Sequence, residues 1–133
     1  MMRELSLSET WSMLESNADA VLIDVRTTAE WSEIGVPDLS TIEQDLRTVE
    51  WVMYPDGLPN ENFIAEATLG LTPDQPILLL CRSGARSAAA AASLTEAGFT
   101  DTYNVVAGFE GNPGPTGQRQ GGWKDTLPWT TNG

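Results

Sequence analysis

Short apolar runs alternate with amphipathic stretches along this chain. Residues 20–25 and 77–80 are apolar runs of the length that forms buried parallel strands, and residues 103–106 have the pattern of a further strand. Residues 49–54 alternate in the way of a strand or an extended segment. Strands that alternate with helices predict an α/β fold with a mostly parallel sheet.

The helices between these strands carry their own start signals. Ser6 with Glu9, and Thr27 with Glu30, have the spacing of a capping box, in which a hydroxyl and a carboxylate bond the free N–H groups of the first turn. The Ala-rich residues 86–97 strongly favour a further helix. Each of these helices begins close to an apolar run, which is the order that an α/β fold requires.

Length and local composition predict one domain. The 133 residues and 14.4 kDa fit a single domain over residues 1–133. The Gly/Pro-rich residues 111–122 predict an irregular loop, and the tail of residues 123–133 is expected to pack back onto the body. The first residues lack the apolar stretch of a signal peptide, and no apolar run could span a bilayer, so we expect a cytoplasmic protein.

The charge and the residue counts exclude several classes of function. The net charge is −12, which argues against nucleic acid or an anionic membrane as a partner. The chain has no His and a single Cys. It can therefore form no intrachain disulfide, no Cys/His zinc site of its own and no His-activated nucleophile. Neither a metal site nor a cofactor site is expected.

One loop combines the residues that can carry chemistry, and it lies between the apolar run 77–80 and the Ala-rich helix. Its sequence is Cys81-Arg82-Ser83-Gly84-Ala85-Arg86-Ser87. A loop that curls into a helix start turns several backbone N–H groups inward, and the helix dipole adds partial positive charge. Residues 75–95 carry only two charged side chains, both arginines, so this window is positive in an acidic chain. This environment predicts an anion cradle and a lowered pKa for the Cys81 thiol.

Several short motifs, spread over most of the chain, resemble those of one known family. They are Leu22-Ile23-Asp24-Val25-Arg26 with Glu30-Trp31, the loop from Cys81 to Ser87, Ala97-Gly98-Phe99, Gly108-Phe109-Glu110-Gly111, and Trp123 followed by Leu127-Pro128. Together they resemble a single-domain rhodanese. The resemblance implies a mostly parallel central sheet of about five strands, flanked by helices on both faces.

The resemblance also implies a reaction. Cys81 would take a sulfane sulfur from thiosulfate or a similar donor, hold it as a persulfide and pass it to a thiol or cyanide. The substrate-binding loop would be Arg82, Ser83, Gly84, Ala85, Arg86 and Ser87. The resemblance implies that the second arginine of the loop, Arg86, helps to hold the loop, whereas the first, Arg82, faces the incoming substrate. The implied partners are a small-molecule donor and a thiol acceptor, with a sulfur-accepting protein as a further candidate, and no metal or organic cofactor is implied.

Two residues outside the loop are expected to support the site. Asp24 can stabilise the neighbouring loop, and Arg26 can form an internal ion pair. Two departures from the family pattern also stand out. Residues 35–39 replace a His-Ile-Pro-Gly-Ala segment, and Ala85 occupies a loop position that is often polar.

Other functions for the same loop remain open at this point. Cysteine phosphatases have five residues between Cys and Arg, whereas four separate Cys81 from Arg86 here, which favours a sulfur atom over a phosphoryl group. A cysteine-based phosphatase or an arsenate reductase is therefore disfavoured. The remaining alternative is a non-enzymatic module that binds a partner or senses oxidants or persulfides through Cys81.

Overall fold

A parallel sheet of five strands organises the fold, which is known from a computed structural model that describes residues 2–131. The described residues form this sheet and two smaller two-stranded sheets. Their strands are β1 (Arg3–Leu5), β2 (Val21–Asp24), β3 (Val36–Pro37), β4 (Leu46–Thr48), β5 (Ile77–Leu80), β6 (Thr102–Val105), β7 (Gly111–Pro113), β8 (Arg119–Gly121) and β9 (Trp129–Thr130). The central sheet has the order β1-β6-β5-β2-β4, and every neighbouring pair in it is parallel. Met1, Asn132 and Gly133, which the predicted domain includes, lie outside the described residues.

Helices cover both faces of this sheet, so the α/β fold expected from the sequence is confirmed. They are α1 (Leu7–Ser16), α2 (Thr28–Glu33), α3 (Phe63–Ala67), α4 (Ala85–Glu96) and α5 (Trp123–Thr126), with a 3₁₀ turn at Ser40–Ile42. The capping boxes of α1 and α2 are formed as the sequence predicts. At the end of α4, Gly98 has a φ of 103°, which is the left-handed conformation typical of a helix stop.

The central strand β5 shows why the sheet is buried on both sides. Leu78 and Leu80 belong to the core that includes α1 and α5, whereas Ile77 and Leu79 belong to the core that includes α3 and α4. All four side chains are fully buried. Because successive side chains of a strand point to opposite faces, a strand between two helical layers must be apolar at every position. The run at residues 77–80 is therefore a strand that both cores require.

Two parts of the central sheet differ from the sequence-based prediction. Strand β1 was not predicted, since its three residues include two charged side chains and only Leu5 is buried. Strand β4 ends at Thr48, before the residues 49–54 that the pattern favoured. Val49 and Trp51 still donate backbone N–H groups to the carbonyls of Asp24 and Val25, both at 3.1 Å. The alternation therefore marks residues that follow β4 and pack on the core.

The prediction of an irregular loop over residues 111–122 is wrong, because most of this segment is a β-hairpin. Strands β7 and β8 pair antiparallel, with Gly111 opposite Gly121. A Cβ atom at Gly111 would lie 2.0 Å from the carbonyl oxygen of Gln120, so only glycine permits this close pairing. Gly117 supplies a positive φ of 84° in the turn. The glycines that suggested an irregular loop are those that a tight hairpin needs.

The tail is attached at two points. Trp123 is fully buried, donates its indole N–H to the carbonyl oxygen of Pro128 at 2.7 Å, and packs edge-on against Trp11 with ring centroids 6.1 Å apart. Beyond it, β9 pairs with β3, and a Cβ atom on Gly35 would lie 2.7 Å from the ring of Trp129. The segment that departs from the family pattern thus contacts the tail.

Across residues 2–131, no helix is both long enough and apolar enough to cross a membrane.

Trp123 provides a test of how much the tail stabilises the domain. Trp123→Ala should lower the free energy of unfolding by about 3–5 kcal/mol, because it removes a buried aromatic side chain and leaves a cavity. Trp129→Ala is the comparison at the second attachment point, and it should cost less, about 1 kcal/mol, because Trp129 is 40% exposed. Chemical denaturation measures both. Equal losses would show that the burial of Trp123 is not what attaches the tail.

Candidate active site

The loop that follows β5 encloses the sulfur of Cys81. Gly84, at the start of α4, has a φ of 105°, and a Cβ atom there would lie 2.7 Å from the carbonyl oxygen of Val106. Both facts exclude any larger residue. Gly84 therefore allows the chain to turn from the strand into the helix while its N–H points back at the sulfur.

The Gly84 N–H and the Ser87 hydroxyl lie close to the sulfur, and the backbone N–H groups of Ser83 and Ser87 also face it. The Gly84 N–H donates to Cys81 Sγ at 3.1 Å, and the Ser87 hydroxyl lies 3.3 Å from it. Burial raises the pKa of the Cys81 thiol, but hydrogen bonds from Ser87, Ser83 and Gly84 outweigh it, so the pKa lies below its ordinary value. Cys81 is only 1% exposed, so the loop shields the sulfur from bulk water.

Asn104 of β6 fixes the position of Ser87 and was not identified from the sequence. Its side-chain N–H donates to the carbonyl oxygen of Gly84 at 3.1 Å, and its Oδ1 lies 2.6 Å from the Ser87 hydroxyl. That hydroxyl has a single proton, so it donates either to Asn104 or to the sulfur. The thiol can donate to Ser87 while Ser87 donates to Asn104. When the sulfur is a thiolate, the Ser87 proton can turn to it.

Arg86 joins the loop to helix α2. Its guanidinium donates to both carboxylate oxygens of Glu30, at 2.7 and 3.0 Å. Burial raises the pKa of Glu30. The hydrogen bonds from Arg86 and Thr27 and the charge of Arg86 lower this pKa by more, so it lies below its ordinary value. Because Glu30 also caps α2 through Thr27, one carboxylate sets the distance between that helix and the loop.

Arg82 is the exposed arginine of the loop and pairs with Glu110, and its solvent-facing side is here called the loop opening. The guanidinium Nε is 3.3 Å from a carboxylate oxygen of Glu110, and 47% of the Arg82 side chain is exposed. The backbone N–H of Glu110 donates to the carbonyl oxygen of Arg82 at 3.0 Å, and the N–H of Phe109 donates to the carbonyl oxygen of Cys81 at 2.8 Å. The segment after β6 is therefore tied to the loop by its backbone.

Asp24 and Arg26 form an ion pair with each other behind the site. Both side chains are completely buried, and Arg26 Nη2 lies 2.7 Å from Asp24 Oδ2. The same Nη2 donates to the carbonyl oxygen of Gly35 at 2.7 Å, and the guanidinium lies 4.2 Å from the centre of the Phe109 ring. These contacts join the end of β2 to two segments around the loop.

The structure brings the predicted residues together and adds three acidic or amide side chains. Cys81, Gly84 and Ser87 meet at the sulfur, the two loop arginines point to separate carboxylates, and Ala85 is exposed at the start of α4. The added side chains are Glu30, Asn104 and Glu110. The signal for Asn104 was a lone amide within a buried strand. In the sequence, Glu30 stands out only as part of a helix cap, and Glu110 only as part of the Gly108–Gly111 motif.

Comparison with known proteins gives a family for this arrangement. The model of the Rhodanese-like domain family matches residues 6–111. Among solved structures, the crystal structure of Rv0390 from M. tuberculosis is 43% identical, covers 99% of this chain and 98% of that one, and superposes with a TM-score of 0.89.

Curated relatives agree with this family. The RP600 homolog of Rickettsia rickettsii, which is called uncharacterized, is 36% identical over 123 residues and covers 92% of each chain. The thiosulfate sulfurtransferase GlpE of Pseudomonas savastanoi pv. phaseolicola is 34% identical over 91 residues, which are 68% of this chain and 70% of that protein.

Ser87→Ala tests the hydrogen bond to the sulfur. Without the hydroxyl the thiolate loses a donor, so the pKa of Cys81 should rise and its alkylation rate at neutral pH should fall about tenfold. Alkylation rates across a pH series measure both. The increase of the alkylation rate with pH should move to higher pH, because the thiolate forms at a higher pH.

The matched control is Ser93→Ala, a half-buried serine on the same helix. It should leave the pH profile of alkylation where it is in the wild type. An unchanged profile in Ser87→Ala would show that the backbone N–H groups alone set the thiol pKa.

Proposed function

The chain belongs to the rhodanese-like domain family, and from this premise we propose that it is a sulfurtransferase that carries a sulfane sulfur on Cys81. The observation that carries the proposal is the set of donors around the sulfur, with the Gly84 N–H at 3.1 Å and the Ser87 hydroxyl at 3.3 Å. Such donors stabilise a thiolate, and they equally stabilise the anion of a persulfide. The relative named as a thiosulfate sulfurtransferase supports this choice of chemistry.

The first half of the reaction loads the sulfur. The Cys81 thiolate attacks the outer sulfur of thiosulfate, a new S–S bond forms, and the S–S bond of thiosulfate breaks. The electron pair of the broken bond leaves with sulfite. The product is a Cys81 persulfide, whose terminal sulfur lies where the N–H groups of the loop converge.

The second half transfers the sulfur to another molecule. A thiolate or cyanide attacks the terminal persulfide sulfur and releases the Cys81 thiolate. Cys81 is the only cysteine in the sequence, so no thiol of the same chain can resolve the persulfide. The acceptor is therefore external, a small thiol or a cysteine of an accepting protein. A reactive unpaired thiol suits a reducing compartment, which supports a cytoplasmic place of action.

The loop supports sulfur over phosphate. Four residues separate Cys81 from Arg86, and Arg86 is held by both oxygens of Glu30 outside the sulfur's contacts. In a phosphatase the corresponding arginine must bind the phosphoryl oxygens. Here Arg86 uses one N–H of each terminal nitrogen to hold Glu30, which favours a structural role for this arginine.

Mass spectrometry tests the persulfide. After treatment with thiosulfate, the wild type should gain the mass of one sulfur atom, whereas Cys81→Ser should gain none. Addition of a small thiol should remove the extra mass from the wild type. The same mass gain in both proteins would contradict the mechanism.

A parallel assay separates the alternatives. Turnover of thiosulfate with cyanide is expected, and turnover of para-nitrophenyl phosphate is not. Negligible sulfur transfer from thiosulfate, polysulfide and organic persulfides would favour a binding or sensing module.

Arg86 and Arg82 should differ in their effects on catalysis. Arg86→Ala removes the contact that holds the loop to α2, and a displaced loop should lower kcat/KM for thiosulfate by about a hundredfold. Arg82→Lys keeps the charge at the opening and should cost less than about threefold. Steady-state kinetics measure both. The reverse order would contradict the roles assigned to the two arginines.

A further inference from the structure

The positive charge of the Cys81 loop is offset by two acidic residues from other parts of the chain. Arg86 pairs with Glu30, and Arg82 pairs with Glu110. The sequence window around Cys81 is positive, but the folded site contains two arginines and two carboxylates at close range. The opening is therefore close to neutral, which is not the environment expected for capture of a doubly charged anion.

The two ion pairs have different positions relative to the opening. Arg86 and Glu30 are both about three-quarters buried, with 26% and 21% of their side chains exposed, and they join the loop to α2. Arg82 is 47% exposed, while its partner Glu110 is only 13% exposed. Arg82 is thus the more exposed of the two loop cations, and Glu110 is the carboxylate that offsets its charge.

Glu110 is held in this position by the backbone. Its N–H donates to the carbonyl oxygen of Arg82 at 3.0 Å, and a Cβ atom at Gly108 would lie 2.4 Å from the same oxygen. The close approach of the two segments keeps the Glu110 carboxylate beside Arg82. A carboxylate fixed next to the exposed loop cation offsets the attraction of that cation for an anionic donor that approaches Cys81.

We propose that Glu110 is a specificity-determining residue that selects sulfane donors of low negative charge, such as singly charged organic thiosulfonates and persulfides, over the thiosulfate dianion. This inference rests on the proposed sulfurtransferase function. Both donor classes follow the same chemistry. With a thiosulfonate, the Cys81 thiolate attacks the outer sulfur, the S–S bond of the donor breaks, and a sulfinate leaves with the electron pair in place of sulfite.

Coulomb's law gives the form of the effect. The repulsion from one carboxylate is proportional to the charge of the donor, so removal of that carboxylate should change the logarithm of kcat/KM twice as much for a dianion as for a monoanion. For a partly exposed charge at the opening, Glu110→Gln should raise kcat/KM about tenfold for thiosulfate and about threefold for benzenethiosulfonate.

The matched control is Glu96→Gln, which removes one exposed carboxylate from the end of α4 and changes the net charge of the chain equally. It should leave both kcat/KM values unchanged. The specificity role is overturned if Glu110→Gln changes the two donors by the same factor, or changes neither, while the wild type still forms the Cys81 persulfide.

A second measurement does not depend on sulfur transfer. Alkylation of Cys81 by iodoacetate, an anion, and by iodoacetamide, a neutral molecule, reports the charge that a reagent meets on its way to the sulfur. The ratio of the two rate constants should rise about threefold in Glu110→Gln and stay at the wild-type value in Glu96→Gln. An unchanged ratio in Glu110→Gln overturns the inference. A raised ratio in a protein that forms no persulfide supports the charge effect and contradicts the proposed function alone.

Discussion

The buried ion pair of Asp24 and Arg26 is the constraint on which the arrangement around the loop depends. Both groups lie out of water, and Arg26 also bonds the carbonyl oxygen of Gly35 and stacks over Phe109. Such a pair contributes little net stability, but loss of one partner costs about 3–5 kcal/mol because it leaves a buried charge uncompensated. The pair therefore acts by fixing which segments meet, namely the end of β2, the strand β3 and the segment that carries Glu110.

The fold could be predicted where one local pattern had one structural solution. The apolar run of β5 and the two capping boxes each depend on residues a few positions apart. Prediction failed where the deciding contact was distant, or where one local pattern had more than one structural solution. Strand β1 is an edge strand of three residues that exists because it pairs with β6, and the hairpin of β7 and β8 depends on glycines that also occur in loops.

The same limit applies to the site. Cys81 and its loop form a continuous motif, so their chemistry could be inferred from the residues themselves. The partners of the loop come from α2 and from β6 and the segment that follows it, at separations of 56 residues for Glu30 and 17 for Asn104. No local pattern shows which of nineteen acidic residues will meet a given arginine. The net charge of the loop and its partners could therefore be determined only from the structure.

These partners separate two properties that a sulfur-carrying site must have. The state of the thiol depends on uncharged donors, the N–H groups of the loop and the Ser87 hydroxyl, all within the cradle. The charge met by a donor depends on Arg82 and Glu110 at the opening. Hydrogen bonds act only over contact distance, whereas charges act over several ångströms. A change in the charge of the opening can therefore alter which donor is accepted while the sulfur keeps its own hydrogen bonds.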